Sequence, residues 1–241
     1  MLKCKLLWVL SWLWLSACSH HTSSFPVVPL TDSKRLSLAQ AHLLLGQWSL
    51  AKEQLENVST GAHGREYWRL LSLYWLSVED IESALKVSKM GLSYYPNDGF
   101  LLNNYGVILG TKKEWVKACS IFQQANDFSF PKRQSVQINL SRCALRQEDV
   151  KKAEKHLDQA KEIAELPVIG LLTELNLVLI QGNNDKARII FNNIQTFENV
   201  ALGWAHFDEF KCLSKYIHRH EDDAAKYSYA SDFTCLNGSR Y

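Results

Sequence analysis

Six cysteines and eight histidines hold most of the reactive side-chain chemistry in this 241-residue chain. The cysteines are Cys4, Cys18, Cys119, Cys143, Cys212 and Cys235. No two stand as Cys-x-x-Cys, the spacing of a redox-active dithiol. The densest histidine pair is His218-Arg219-His220. On a helix, residues two apart point about 200° from each other, whereas shared metal ligands want spacings of three or four. No Ser-His-acid, His-Glu-x-x-His or Gly-rich phosphate pattern is present. The sequence therefore predicts no catalytic residue, no metal site and no cofactor, and a non-enzymatic protein.

Cys18 stands apart by its context. Met1-Leu2-Lys3-Cys4-Lys5 is a basic start, Leu6–Leu15 is apolar, and Ser16-Ala17 are small. This reads as a secretory signal over 1–17, its apolar core shorter than the roughly 20 residues a spanning helix needs. Leu15-Ser16-Ala17-Cys18 also resembles the bacterial lipobox, which marks Cys18 for acylation; a plain signal peptide or an uncleaved anchor is the alternative. Ser19 rather than Asp follows, which in such lipoproteins implies sorting to the outer membrane. Residues 18–31 carry two prolines and no periodicity, and read as a flexible tether spanning at most about 45 Å. Losing Lys3 and Lys5 would leave 25 basic and 25 acidic residues from the 27 and 25 of the whole chain. That balance argues against nucleic-acid or anionic-lipid binding as the main business.

The elements that carry these residues follow from a repeat. Ala51, Ala84, Ala118, Ala153 and Ala187 recur every 33 to 35 residues. Large apolar residues keep fixed offsets from them: Trp68, Leu71 and Trp75 in one repeat, Leu102, Tyr105, Leu109 and Trp115 in the next. A period near 34 with a small residue at the helix crossing is the tetratricopeptide (TPR) pattern, an all-α solenoid of helix–turn–helix units. Five repeats are expected over 32–198, at about 32–64, 65–98, 99–133, 134–167 and 168–198. Gly46-Gln47, Glu79-Asp80, Glu148-Asp149 and Gly182–Asp185 lie between their helices, and Pro96, Pro131 and Pro167 at the exits. A degenerate capping pair is expected over 199–241, one helix at 200–219 and another after Glu221-Asp222-Asp223. Repeat aromatics, alanines and apolar residues, Leu38 and Trp48 among them, are expected in the core.

An oxidising compartment permits the four remaining cysteines to pair, in any of three connectivities that sequence alone does not choose between. Cys119 and Cys143 are centred on Pro131, which favours a Cys119–Cys143 bridge. Cys212 and Cys235 are centred, less tightly, near the Glu221–Asp223 turn. Buried free thiols are the alternative.

In a solenoid the successive first helices line an inner face that accepts a partner's strand or helix. The positions expected to face it are Leu36, Gln40, Leu43, Arg69, Leu73, Leu76, Asn103 and Val107. Apolar residues outnumber basic ones, so an apolar segment is the expected ligand; for each leucine, packing between neighbouring helices is the alternative reading.

Asn103-Asn104-Tyr105-Gly106, then Trp115, Ala118, Phe122 and Ala125, then Phe130-Pro131 and Asn139 through Cys143-Ala144, resemble the type IV pilus biogenesis lipoproteins (the PilF/PilW pilotins). Asp222-Asp223-Ala224-Ala225 through Phe233 resembles that family's last repeat. The likeness covers signal, lipobox and about six repeats. Gly110 stands where the family has its first cysteine and Ser141 where it has glycine, so keeping the family bridge would require Cys119 to partner Cys143. The resemblance implies a non-enzymatic protein that binds a secretin subunit and promotes its localisation and assembly at the outer membrane. A generic periplasmic TPR scaffold lipoprotein, serving cell-wall or outer-membrane protein assembly, is the alternative.

Overall fold

The computed structural model describes residues 29–128, 133–197 and 204–222, together with Cys235. Among them are eleven α-helices and no strand. They are α1 (Asp32–Leu44), α2 (Trp48–Glu56), α3 (Arg65–Ser77), α4 (Ile81–Tyr94), α5 (Gly99–Thr111), α6 (Trp115–Asn126), α7 (Arg133–Arg146), α8 (Val150–Ile163), α9 (Val168–Ile180), α10 (Asn184–Phe197) and α11 (Trp204–Asp222). From α1 to α10 they pair as five hairpins.

Each hairpin is written by the same short text. Five residues before every repeat alanine the backbone enters the left-handed region, at Gly46, Glu79, Lys113, Glu148 and Gly182, with φ between 59° and 72°. That residue turns the chain out of the first helix. The next position starts the second helix. Asp80 accepts from the Ser83 amide at 3.0 Å, Asp149 from the Lys152 amide at 3.0 Å and Asn183 from the Lys186 amide at 3.1 Å. Each such cap satisfies an amide that the first helical turn leaves orphaned.

The alanines are closed from solvent, at 0% exposure for Ala51, Ala84, Ala118 and Ala153 and 1% for Ala187. Twelve residues earlier, on the first helix, stand Ala39, Ser72, Gly106, Ser141 and Leu175. Ser141 Oγ donates to the Ala153 carbonyl at 2.8 Å, and Ser72 Oγ lies 2.6 Å from Ser88 Oγ. A Cβ on Gly106 would come within 2.5 Å of the Phe122 ring. In the first four hairpins small residues here let the two helices close on each other, while the fifth places the buried Leu175 there.

First helices pack on first helices: α1 on α3, α3 on α5, α7 on α9 and α9 on α11. Second helices pack mainly on their own partner and on the next repeat's first helix. The stack is therefore tighter along the first helices, the geometry of an inner face. The core is a run of local clusters, as a solenoid's must be. One joins Ala39, Leu43, Ala51, Leu55, Leu70 and Leu101; the last joins Leu175, Phe191, Ile194 and Leu213.

Two expectations need correcting. Leu38 (37% exposed) and Trp48 (38% exposed) are not in the core; among the described residues no helix precedes α1 to cover them. α11 runs to Asp222, through Glu221-Asp222, since no glycine or proline interrupts 204–222. Pro167 lies at the exit of the fourth repeat as expected, four residues after α8 stops at Ile163, and forms the N-cap of α9. The expected segments 1–17 and 18–28, Pro131, and the second capping helix with Ala224, Ala225 and Phe233 lie outside the described residues.

Candidate protein-binding groove

Two rows of first-helix residues follow from the alanine register. Fifteen positions before each alanine stand Leu36, Arg69, Asn103, Ile138 and Leu172; eleven before stand Gln40, Leu73, Val107, Arg142 and Asn176. The first three members of each row are the expected groove residues. The structure places them on α1, α3 and α5, with Gln40 exposed and Leu36, Arg69, Leu73, Asn103 and Val107 half-buried. Leu76, also half-buried, continues along α3. Leu43 departs from this set. It is 6% exposed and packs with Ala39, Ala51 and Leu55, so it is core rather than groove. It lies eight residues before its alanine, a position that points toward the second helix.

The polar members are fixed by neighbours. The Arg69 guanidinium donates through Nε to both carboxylate oxygens of Asp98, at 3.0 and 2.9 Å, and its Nη2 lies 2.6 Å from Oδ2. Asp98 also caps α5 by accepting from the Leu101 amide at 2.9 Å. One buried carboxylate thus joins α3 to the start of α5. Asn139 Nδ2 donates to Asn103 Oδ1 at 3.0 Å, linking α7 to α5. Between these anchors the surface is apolar: Leu36, Leu73, Leu76 and Val107.

The last two members of the rows behave differently. Arg142, Asn176, Ile138 and Leu172 are all 0–1% exposed. Glu209 on α11 closes this part of the face. Its carboxylate accepts from Arg142 Nη1 at 3.0 Å and Nη2 at 2.8 Å, and from Asn176 Nδ2 at 3.0 Å. Arg142 Nη1 also approaches Thr173 Oγ1 at 3.4 Å. The inner face is open over three repeats and filled over the next two. Arg142, Asn176 and Glu209 were not among the expected site residues. The alanine register places the first two in the groove row, but the partner carboxylate lies past the last recognisable repeat.

Cys119 on α6 and Cys143 on α7 form a disulfide with a Cα separation of 5.8 Å, and Cys212 on α11 pairs with Cys235 at 5.5 Å. The first staples repeat three to repeat four beneath the closed part of the face. Among the described residues no three His, Cys, Asp or Glu side chains converge to hold a metal.

This architecture is found in proteins of known structure. PilF of Pseudomonas aeruginosa superposes with a TM-score of 0.57 at 15% identity, over 84% of this chain and 96% of that one. The fold is a TPR solenoid. PilW, described as a widely conserved type IV pilus biogenesis factor, matches with a TM-score of 0.58 at 15% identity, over 85% and 99% of the two chains. A thermophilic TPR protein of Thermus thermophilus matches at 0.59 and 16%, over 77% and 100%. No family model matches the sequence, and no curated protein matches it. The solenoid is thus shared at the level of fold. Its groove residues are argued from this chain alone.

Proposed function

We propose that the chain is a periplasmic TPR lipoprotein, acylated at Cys18 and held at the outer membrane. In this role it binds a secretin subunit and promotes the subunit's localisation and assembly for type IV pilus biogenesis. The observation that carries the reading is the open, mainly apolar inner face of α1, α3 and α5, which suits an apolar strand or helix. The likeness of the whole solenoid to PilF and PilW supports the pilus assignment, together with the lipobox and the Asn103–Gly106 stretch. Within that stretch Asn104 donates to Ser72 Oγ at 3.3 Å and Gly106 makes room for Phe122, so both serve the scaffold. Asn103 alone of these three borders the groove.

The test is co-purification with a secretin subunit from envelope extracts. Leu73→Asp or Val107→Asp should lower secretin recovery while leaving the helical circular dichroism signal intact. Recovery of cell-wall synthases in place of secretin would overturn the assignment and favour the general scaffold. Cys18→Ala should move the protein to the soluble fraction; a variant that still sediments with the outer membrane would end the lipoprotein reading.

A further inference from the structure

The first hairpin differs from the others at its tip. Leu44 and Leu45, at the end of α1, are 71% and 69% exposed, Trp48 is 38% and Leu50 is 44% exposed. At the positions of Leu44, Leu45 and Leu50 the third repeat has Thr111, Lys112 and Lys117, and the fourth has Arg146, Gln147 and Lys152; at that of Trp48 they keep the apolar Trp115 and Val150. The scaffold therefore works with polar residues at the three leucine positions of this tip. The turn is well formed, for His42 Nδ1 lies 2.7 Å from Gln47 Oε1, and the Trp48 ring sits 3.6 Å from where a Gly46 Cβ would stand. Four large apolar side chains are held out to solvent on an ordered turn of the first hairpin among the described residues.

We propose that this tip rests in the surface of a phospholipid bilayer. The inference builds on the lipoprotein reading. α1 starts at Asp32, so residues 19–31 alone separate it from Cys18, a span of at most about 45 Å. An acylated Cys18 keeps the first hairpin, before any other, within reach of the lipid. Tryptophan with leucines is the side-chain chemistry that settles at the headgroup–acyl boundary. A secretin segment is served instead by the inner face, whose apolar members Leu36, Leu73 and Val107 lie on helix flanks rather than at a turn. Two weak attachments in series, acyl chains and a hairpin tip, hold far better than either alone. They would also fix which way the groove faces.

The experiment uses the full acylated lipoprotein in vesicles of phosphatidylethanolamine and phosphatidylglycerol with brominated acyl chains. With the other cysteines bonded or acylated, Leu45→Cys provides a single thiol for an environment-sensitive fluorophore. Gln147→Cys, on the corresponding turn of the fourth repeat, is the comparison. The expected result is a blue-shifted emission and loss of intensity to bromine at 45, with neither at 147. Should Leu45→Cys fold poorly, Leu50→Cys reads the same surface. Vesicle flotation of each sample reports the acyl anchor separately. Protein that floats with a hydrated label at 45 overturns the bilayer contact and leaves the anchor standing. Protein that does not float overturns both. A label dehydrated without vesicles, in proportion to protein concentration, shows a second copy covering the tip and also overturns the proposal.

Discussion

Arg142 and Glu209 form an ion pair with no solvent access to either side chain. Removing one partner of such a pair leaves an uncompensated buried charge, so Glu209→Ala should cost about 3–5 kcal/mol in urea unfolding. Replacing both, Arg142→Met with Glu209→Leu, should recover most of that loss, since apolar residues of similar volume often match a buried pair. A double variant as unstable as the single one would show that the pair adds net stability. His156 tests a different balance. Burial pushes its imidazole below the ordinary value, with Lys152 and Lys155 acting in the same direction. Its Nδ1 lies 2.8 Å from Gln137 Oε1, and Gln137 Nε2 donates to Asn126 Oδ1. The unfolded chain therefore binds this proton first. Stability is full above the ordinary imidazole value of about 6.5 and falls as pH drops through it toward the folded value. As pH drops below about 6.5, unfolding should become easier, and His156→Gln should flatten that part of the profile.

At the scale of the hairpin, the turn residues carry the sharpest prediction. Glu79, Lys113 and Glu148 hold positive φ where the first and fifth repeats use glycine. A side chain costs about 1–2 kcal/mol in this region, against about 0.5–1 kcal/mol of extra chain entropy for glycine. Glu79→Gly, Lys113→Gly and Glu148→Gly should each raise stability by about 0.5–1 kcal/mol, while Gly46→Ala and Gly182→Ala should lower it by about 1 kcal/mol. Thermal or urea unfolding of the five variants checks the set. This is also the scale at which the sequence was most legible. The alanine period, the turn pairs and the Asp caps mark local rules, and local rules leave a local trace. Leu43 was misread because a residue three positions from a groove residue lies on an adjoining flank, and amphipathic spacing alone does not separate inner face from core. Glu209 was unreadable, since it meets a residue 67 positions away on a helix outside the repeat pattern.

Across the whole molecule, the cross-links gather in one half. Both disulfides and the buried ion pair lie between α6 and the residues beyond α11. The first two repeats have no disulfide among the described residues and rely on the Arg69–Asp98 pair, surface ion pairs and an apolar cluster around Leu43, Leu55 and Leu70. The Cys119–Cys143 bridge closes a loop of 24 residues in sequence separation, worth about 3 kcal/mol through the entropy of the unfolded chain. Cys119→Ser with Cys143→Ser should therefore lower stability by about that amount, and hydrogen exchange should show the loss centred on α6 and α7. Equal loss of protection in α1–α4 would contradict a core built from nearest-neighbour clusters.

The uneven stapling has a mechanical consequence. A load drawn along the backbone from Asp32 meets only noncovalent side-chain contacts until it arrives at Cys119. Hairpins one and two can pay out like a coiled lead, one at a time, and reel back once slack returns. The 119–143 bridge then acts as a stop, beyond which the strain passes from packing forces to covalent bonds. Such a molecule would yield at its leading end while its rear keeps its shape.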